Sequence, residues 1–182
     1  MDPSVILRLC ILIILLALSA FFSSSETALT TVNVHTIRAL VEDGNRQAKR
    51  VLQLIENPAA MLSSILIGNN LVNISATSLA TTLAIDVFGS AGAGIATGVL
   101  TILVLIFGEI TPKTYATIKN TNLALRFGPV IYYVTKVLTP VVIVINKLST
   151  GLLMLLRIDA KQSKQVMTER ELRTIVDASH ED

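Results

Sequence analysis

From Val51 to Pro112 the chain carries neither lysine nor arginine. That stretch has room for two membrane crossings of about 20 residues each. The remainder fits the same class: the 182 residues are 52% hydrophobic and only 15% charged, with a mean hydropathy of +0.66. A soluble domain of this size does not need so much apolar surface, so a membrane protein of three or four spanning helices is expected. The net charge is only +2. Its basic residues follow topology rather than forming a patch, so no nucleic-acid partner is expected and the lipid bilayer is. The single cysteine, Cys10, excludes an internal disulfide and any thiolate metal cluster.

The spans can be placed by their flanks. Val5 to about Thr31 is the first; it lacks the basic n-region and small-x-small site of a signal peptide. A polar section from Asn33 to Asn57 follows, with helical spacing of Ile37, Leu40 and Val41 and then of Ala48, Val51, Leu52 and Ile55. Gly44-Asn45 divides it into a helical hairpin. Asn57-Pro58 is a cap followed by a first-turn proline, opening a second span over about 58–86. A third runs over about 91–118, where Ser90, Gly94 and Gly98 form a small-residue face suited to close helix contact.

Topology follows from charge. Of the 15 basic residues, four lie in the hairpin and ten from Lys113 onward. The positive-inside rule makes both cytoplasmic, which puts the N-terminus outside and requires an odd number of crossings. Residues 120–158 are apolar enough to tempt a fourth span, but Pro129 and Pro140 interrupt them and their polar residues share a stripe. Amphipathic juxtamembrane helices at the cytoplasmic interface are expected there, with a re-entrant hairpin as the alternative. Residues 1–158 thus read as an all-α, three-span transmembrane domain. Residues 159–182 read as a charged cytoplasmic linker, helical over Met167–Asp177 with Thr168 as cap.

The chemistry concentrates in a few polar residues within the apolar spans. Glu109 ends the run Thr101–Phe107, and a carboxylate at membrane depth is by default a functional-site hypothesis, costing a few kcal/mol on insertion scales. Pro112 cannot donate to the carbonyl of Gly108, four residues back. Asn69 and Asn73 share a face of the second span, with Asn70 nearby; Ser23 and Glu26 share one on the first. Together these offer only oxygen ligands, which suit a hard cation such as Mg²⁺ or Ca²⁺ rather than zinc, copper or iron. The plain alternatives are that the asparagines are interhelical glue, that the serines bond their own helix, and that Glu109 pairs with Lys113. Glu26 is a second candidate partner for Lys113. No protease, phosphate-loop, nucleophile-elbow or Cys/His motif is present, so no enzyme is expected and no organic cofactor.

Three motifs carry a resemblance: Phe-Phe-Ser-Ser-Ser-Glu-Thr-Ala-Leu (21–29), Gly-Asn-Asn-Leu-Val-Asn (68–73) and Phe-Gly-Glu-Ile-Thr-Pro-Lys (107–113). They resemble the transmembrane domain of the CNNM/CorC family of magnesium transporters, over essentially the whole chain. The resemblance implies a homodimer of three-span protomers with a juxtamembrane belt and an inward-open cavity for dehydrated Mg²⁺. Matching positions give Ser23 (or its neighbours Ser24 and Ser25), Asn69, Asn73 and Glu109 at the ion. In the family a CBS-domain pair binding ATP follows; the sequence stops at Asp182 short of it, so no ATP site is carried over. The expectation taken forward is a Mg²⁺-transport domain in the cell membrane, with metal ligands Ser23, Asn69, Asn73, Gly108 and Glu109 and with Na⁺ coupling left open. An ion-sensing anchor and a purely structural dimer module stand as rivals.

Overall fold

Helices account for nearly all of the computed structural model, which describes residues 3–89 and 92–155. In chain order they are α1 (Pro3–Thr31), α2 (Val34–Glu42), α3 (Arg46–Ile55), α4 (Pro58–Phe88), α5 (Gly92–Leu103), a π-helical segment (Val104–Ile110), α6 (Thr111–Ile118) and α7 (Asn120–Leu155). Asparagine side chains start three of them. Asn33 accepts from the amides of His35 and Thr36, Asn45 from those of Gln47 and Ala48, and Asn57 from that of Ala60. Each satisfies amides that a helix N-terminus leaves without an internal partner. The hairpin α2–α3 therefore falls where its caps and Gly44 put it. Ser90 and the linker 159–182, with its expected helix, lie outside the described residues.

Among the described residues four helical stretches are long and apolar enough to cross a membrane: α1, α4, the continuous path 92–118, and α7. Within residues 1–139, which form one compact unit, the packed core lies at the hairpin end. Leu29 and Val32 of α1, Ile37 of α2, Val51 and Leu54 of α3, Met61 and Ile65 of α4, and Ala124 and Ile131 of α7 are all buried there. Toward the other end, apolar side chains such as Ile6, Leu7, Ile13, Ile14 and Ile95 face outward. Water-soluble proteins rarely leave so contiguous an apolar surface open, whereas a bilayer covers it.

Contacts fix the register of the spans. Arg8 pairs with Asp86, Ser19 Oγ lies 3.5 Å from Asn69 Oδ1, and the Phe22 ring abuts Gly68. Rising numbers on α1 thus meet falling numbers on α4, so the two are antiparallel. A Cβ on Gly68 would stand 2.6 Å from the Phe22 ring, so glycine is what lets α4 approach α1 this closely. The 92–118 path runs parallel to α1, with Gly108 beside Ser19 and Lys113 beside Glu26.

One expectation needs correcting. Pro129 and Pro140 do not interrupt residues 120–155, which form a single helix. A proline removes one backbone hydrogen bond, whereas ending a helix whose Ala124 and Ile131 are buried would strand several polar groups, so the helix continues through it. The small-residue face of the third stretch, suited to a contact within or between protomers, meets no other helix among the described residues: nothing there lies within 4 Å of where a Cβ would stand on Gly94 or Gly98.

Candidate functional site

The 92–118 path changes its winding where the acidic residue sits. Over Val104–Ile110 it is π-helical, and the amide of Thr111 reaches back five residues to the Ile106 carbonyl. Pro112 then has no N–H to offer either Phe107, five back, or Gly108, four back. Single π turns within α-helices recur at functional sites. Here the wider turn brings backbone against α1: Gly108 is buried, and a Cβ on it would stand 2.8 Å from Ser19 Oγ. Gly108→Ala should therefore push α1 and the π segment apart, at a cost of about 1–3 kcal/mol, the usual penalty for overpacking. Thermal unfolding in detergent is the measurement; an unchanged midpoint would show that this close approach does not matter.

Of the residues expected to hold an ion, the structure brings Asn69 and Gly108 together, with Ser19 between them. Ser19 was not anticipated, since a lone serine in an apolar run reads as one bonding its own helix. The available signal was that it stands one turn before Ser23. Because α1 and α4 are antiparallel, Ser23 and Asn73 lie on opposite sides of the Ser19–Asn69 contact. Each is one turn away, roughly 6 Å along its helix. The candidate ligands therefore stand at successive levels along the helices rather than in a single ring.

Hydrogen bonding separates the three serines that the sequence could not. Ser24 Oγ donates to the Ala20 carbonyl and Ser25 Oγ to that of Phe21, both at 2.7 Å. Ser23 is fully buried, and its Oγ has no partner among the described residues. The same is true of the buried Oδ1 of Asn73. Buried polar atoms are nearly always satisfied, so two orphans at mid-helix in neighbouring spans call for an explanation. Asn70, by contrast, is exposed and stands apart from them.

Glu109 is half-buried. Lys113 does not neutralise it: its Nζ lies 3.3 Å from Glu26 Oε2. Among the described residues Glu109 makes no ion pair or side-chain hydrogen bond, and no three His, Cys, Asp or Glu side chains gather into one group. The candidate ligands thus combine one carboxylate with neutral hydroxyl, amide and carbonyl oxygens.

Comparison with known proteins places this arrangement. The profile of the cyclin M transmembrane N-terminal domain, CNNM, matches residues 10–182. The chain belongs to the CNNM family. Among CNNM relatives, a UPF0053 protein of Haemophilus influenzae is 42% identical over 171 residues, covering 94% of this chain and 41% of its own length. The UPF0053 inner membrane protein YfjD of Escherichia coli is 40% identical over 164 residues, covering 89% of this chain and 38% of its own length. A polyamine export protein of Escherichia coli is 39% identical over 71 residues, covering 39% of this chain and 15% of its own length. The chain spans about two fifths of the length of the first two relatives. Membership in this transmembrane family, with the apolar helices described above, makes it an integral membrane protein.

Proposed function

We propose that the chain moves a hard divalent cation, Mg²⁺ first, along the oxygen-lined path between α1, α4 and the π segment. The observation that carries this is the pair of buried oxygens without a partner among the described residues, Ser23 Oγ and Asn73 Oδ1, together with a half-buried carboxylate, Glu109, that no cation among those residues neutralises. Left empty, each orphan costs about 1–3 kcal/mol; a passing cation would satisfy them in turn. Oxygen donors with a single carboxylate suit Mg²⁺, which binds through few charged ligands and keeps part of its water. Asn73, then Ser19, Asn69 and Gly108, then Ser23 would exchange coordination one helical turn at a time, with Glu109 supplying the charge. The same oxygens would accept hydrogen bonds from ammonium groups, and a relative bears the name polyamine export protein, so a polyamine is the second cargo to test.

In this reading three stretches cross the bilayer: α1, α4 and residues 92–118. Helix α7 instead runs along the hairpin in its first half. Gly128 packs on Val51, Tyr133 lies under the Arg50 guanidinium at 5.1 Å, and Tyr132 to Thr139 share a cleft with Gln53 and Asn57. A helix held for three turns against one bearing Arg46, Lys49 and Arg50 sits at the interface. The hairpin and C-terminal side are then cytoplasmic and the N-terminus outside. The open Gly94–Gly98 face is where a second protomer would pack in a homodimer.

Cysteine labelling tests the topology. With Cys10 replaced, Asn45→Cys and Ser163→Cys should react only from the cytoplasmic side of sealed cells, and Ser90→Cys only from outside. Labelling of position 163 from outside would mean that α7 crosses.

A further inference from the structure

A second polar site lies away from the proposed path, where α3, the Asn57 turn and the first half of α7 meet. A cleft of about 280 Å³ there is lined by Gln53, Leu54, Asn57, Tyr132, Thr135 and Lys136, among others. Thr135 Oγ1 is buried and has no hydrogen-bond partner among the described residues. Asn57 commits its Oδ1 to capping Ala60, which leaves its amide N–H groups to donate. Lys136 is exposed and forms no ion pair among the described residues. Among the described residues no carboxylate lines the cleft.

A lysine, two amide residues and a threonine with an unsatisfied hydroxyl line it, with no acid among the described residues to answer them. That is the donor set of an oxyanion. The depth of the cleft narrows the choice. Asn57-Pro58 is where the charged hairpin ends and the apolar α4 begins, so the cleft lies at the level of lipid headgroups. Leu54 and Tyr132 add an apolar wall, which a free inorganic anion would not use but a glycerol backbone would. We propose that this cleft seats the headgroup phosphate of an anionic phospholipid, tying the hairpin and α7 to the membrane surface. Basic pockets beside spans on the cytoplasmic side bind such headgroups for the same reason. The proposal does not depend on what, if anything, the chain transports.

The test is native mass spectrometry of the purified protein titrated with dioleoylphosphatidylglycerol, with dioleoylphosphatidylcholine in parallel. The anionic lipid should bind more tightly. Lys136→Gln should weaken it about fivefold, the effect of one cation near an anionic surface. Thr135→Val should weaken it further, and the choline lipid, whose quaternary ammonium offsets its phosphate, should respond less to both changes. Lys136 is exposed, so its variant folds and decides the matter by itself if Thr135→Val does not. Arg46→Gln, an exposed cation of the same hairpin, should matter less, and equimolar inorganic phosphate should not displace the lipid. The proposal is overturned if Lys136→Gln binds the anionic lipid as wild type does, if Arg46→Gln loses as much, or if inorganic phosphate competes fully.

Discussion

Replacing Glu109 by glutamine should abolish stabilisation by Mg²⁺ while leaving the fold in place. Glutamine keeps the shape and one carbonyl oxygen, so what is removed is the charge. At an effective dielectric of 20, two unit charges 4 Å apart attract by about 4 kcal/mol, and a divalent ion at contact distance gains more. The loss should thus be at least roughly a thousandfold in affinity. The rival role for Glu109, neutralising Lys113, predicts the opposite pattern: a lost ion pair and a weaker fold. The structure gives Lys113 to Glu26 instead. Both partners of that pair are more than one third exposed, so Lys113→Met should cost at most about 1 kcal/mol and leave Mg²⁺ binding intact. Thermal melts with and without Mg²⁺ for both variants decide it; a full Mg²⁺ shift in Glu109→Gln would remove the carboxylate from the site.

Ser23→Ala should do two things of opposite sign. Its hydroxyl is buried without a partner, so removing it relieves an unsatisfied polar atom, and the ion-free protein should become more stable by about 1 kcal/mol. If the same oxygen is a ligand, Mg²⁺ affinity should fall about tenfold or more, on the scale seen when even supporting groups of metal sites are lost. Ser24→Ala is the control, since that hydroxyl already bonds the Ala20 carbonyl and its loss should leave Mg²⁺ affinity where it was. Equal behaviour of the two alanine variants would mean that Ser23 has no special part.

The boundaries of this fold were readable because local chemistry sets them. Asn57-Pro58, Gly44-Asn45 and Asn33 mark helix ends by caps and turns that need no tertiary information, and the helices begin where those residues indicate. The polar residues within the spans stood out because lipid makes them expensive. What could not be read depended on packing. Lys113 had a carboxylate one turn away and another on a different helix, and only the parallel register of α1 and the third crossing selects Glu26. The π turn has no sequence signature beyond Gly108 and Pro112, so its close contact with Ser19 stayed hidden. Asn69 and Asn73 share a helix face as their spacing requires, yet the antiparallel course of α1 sets Asn73 and Ser23 at different depths. Pro129 and Pro140 misled because each removes a single backbone hydrogen bond, a smaller loss than ending a packed helix there.

The central claim is that a cation passes along this path, and ion flux tests it most directly. Liposomes containing the purified protein and a Mg²⁺-sensitive dye should show Mg²⁺ entry that saturates and that disappears in Glu109→Gln; spermidine, supplied in competition, reports whether a polyamine uses the same oxygens. Mg²⁺ entry no faster than in protein-free liposomes, with wild type and Glu109→Gln indistinguishable, would contradict the account.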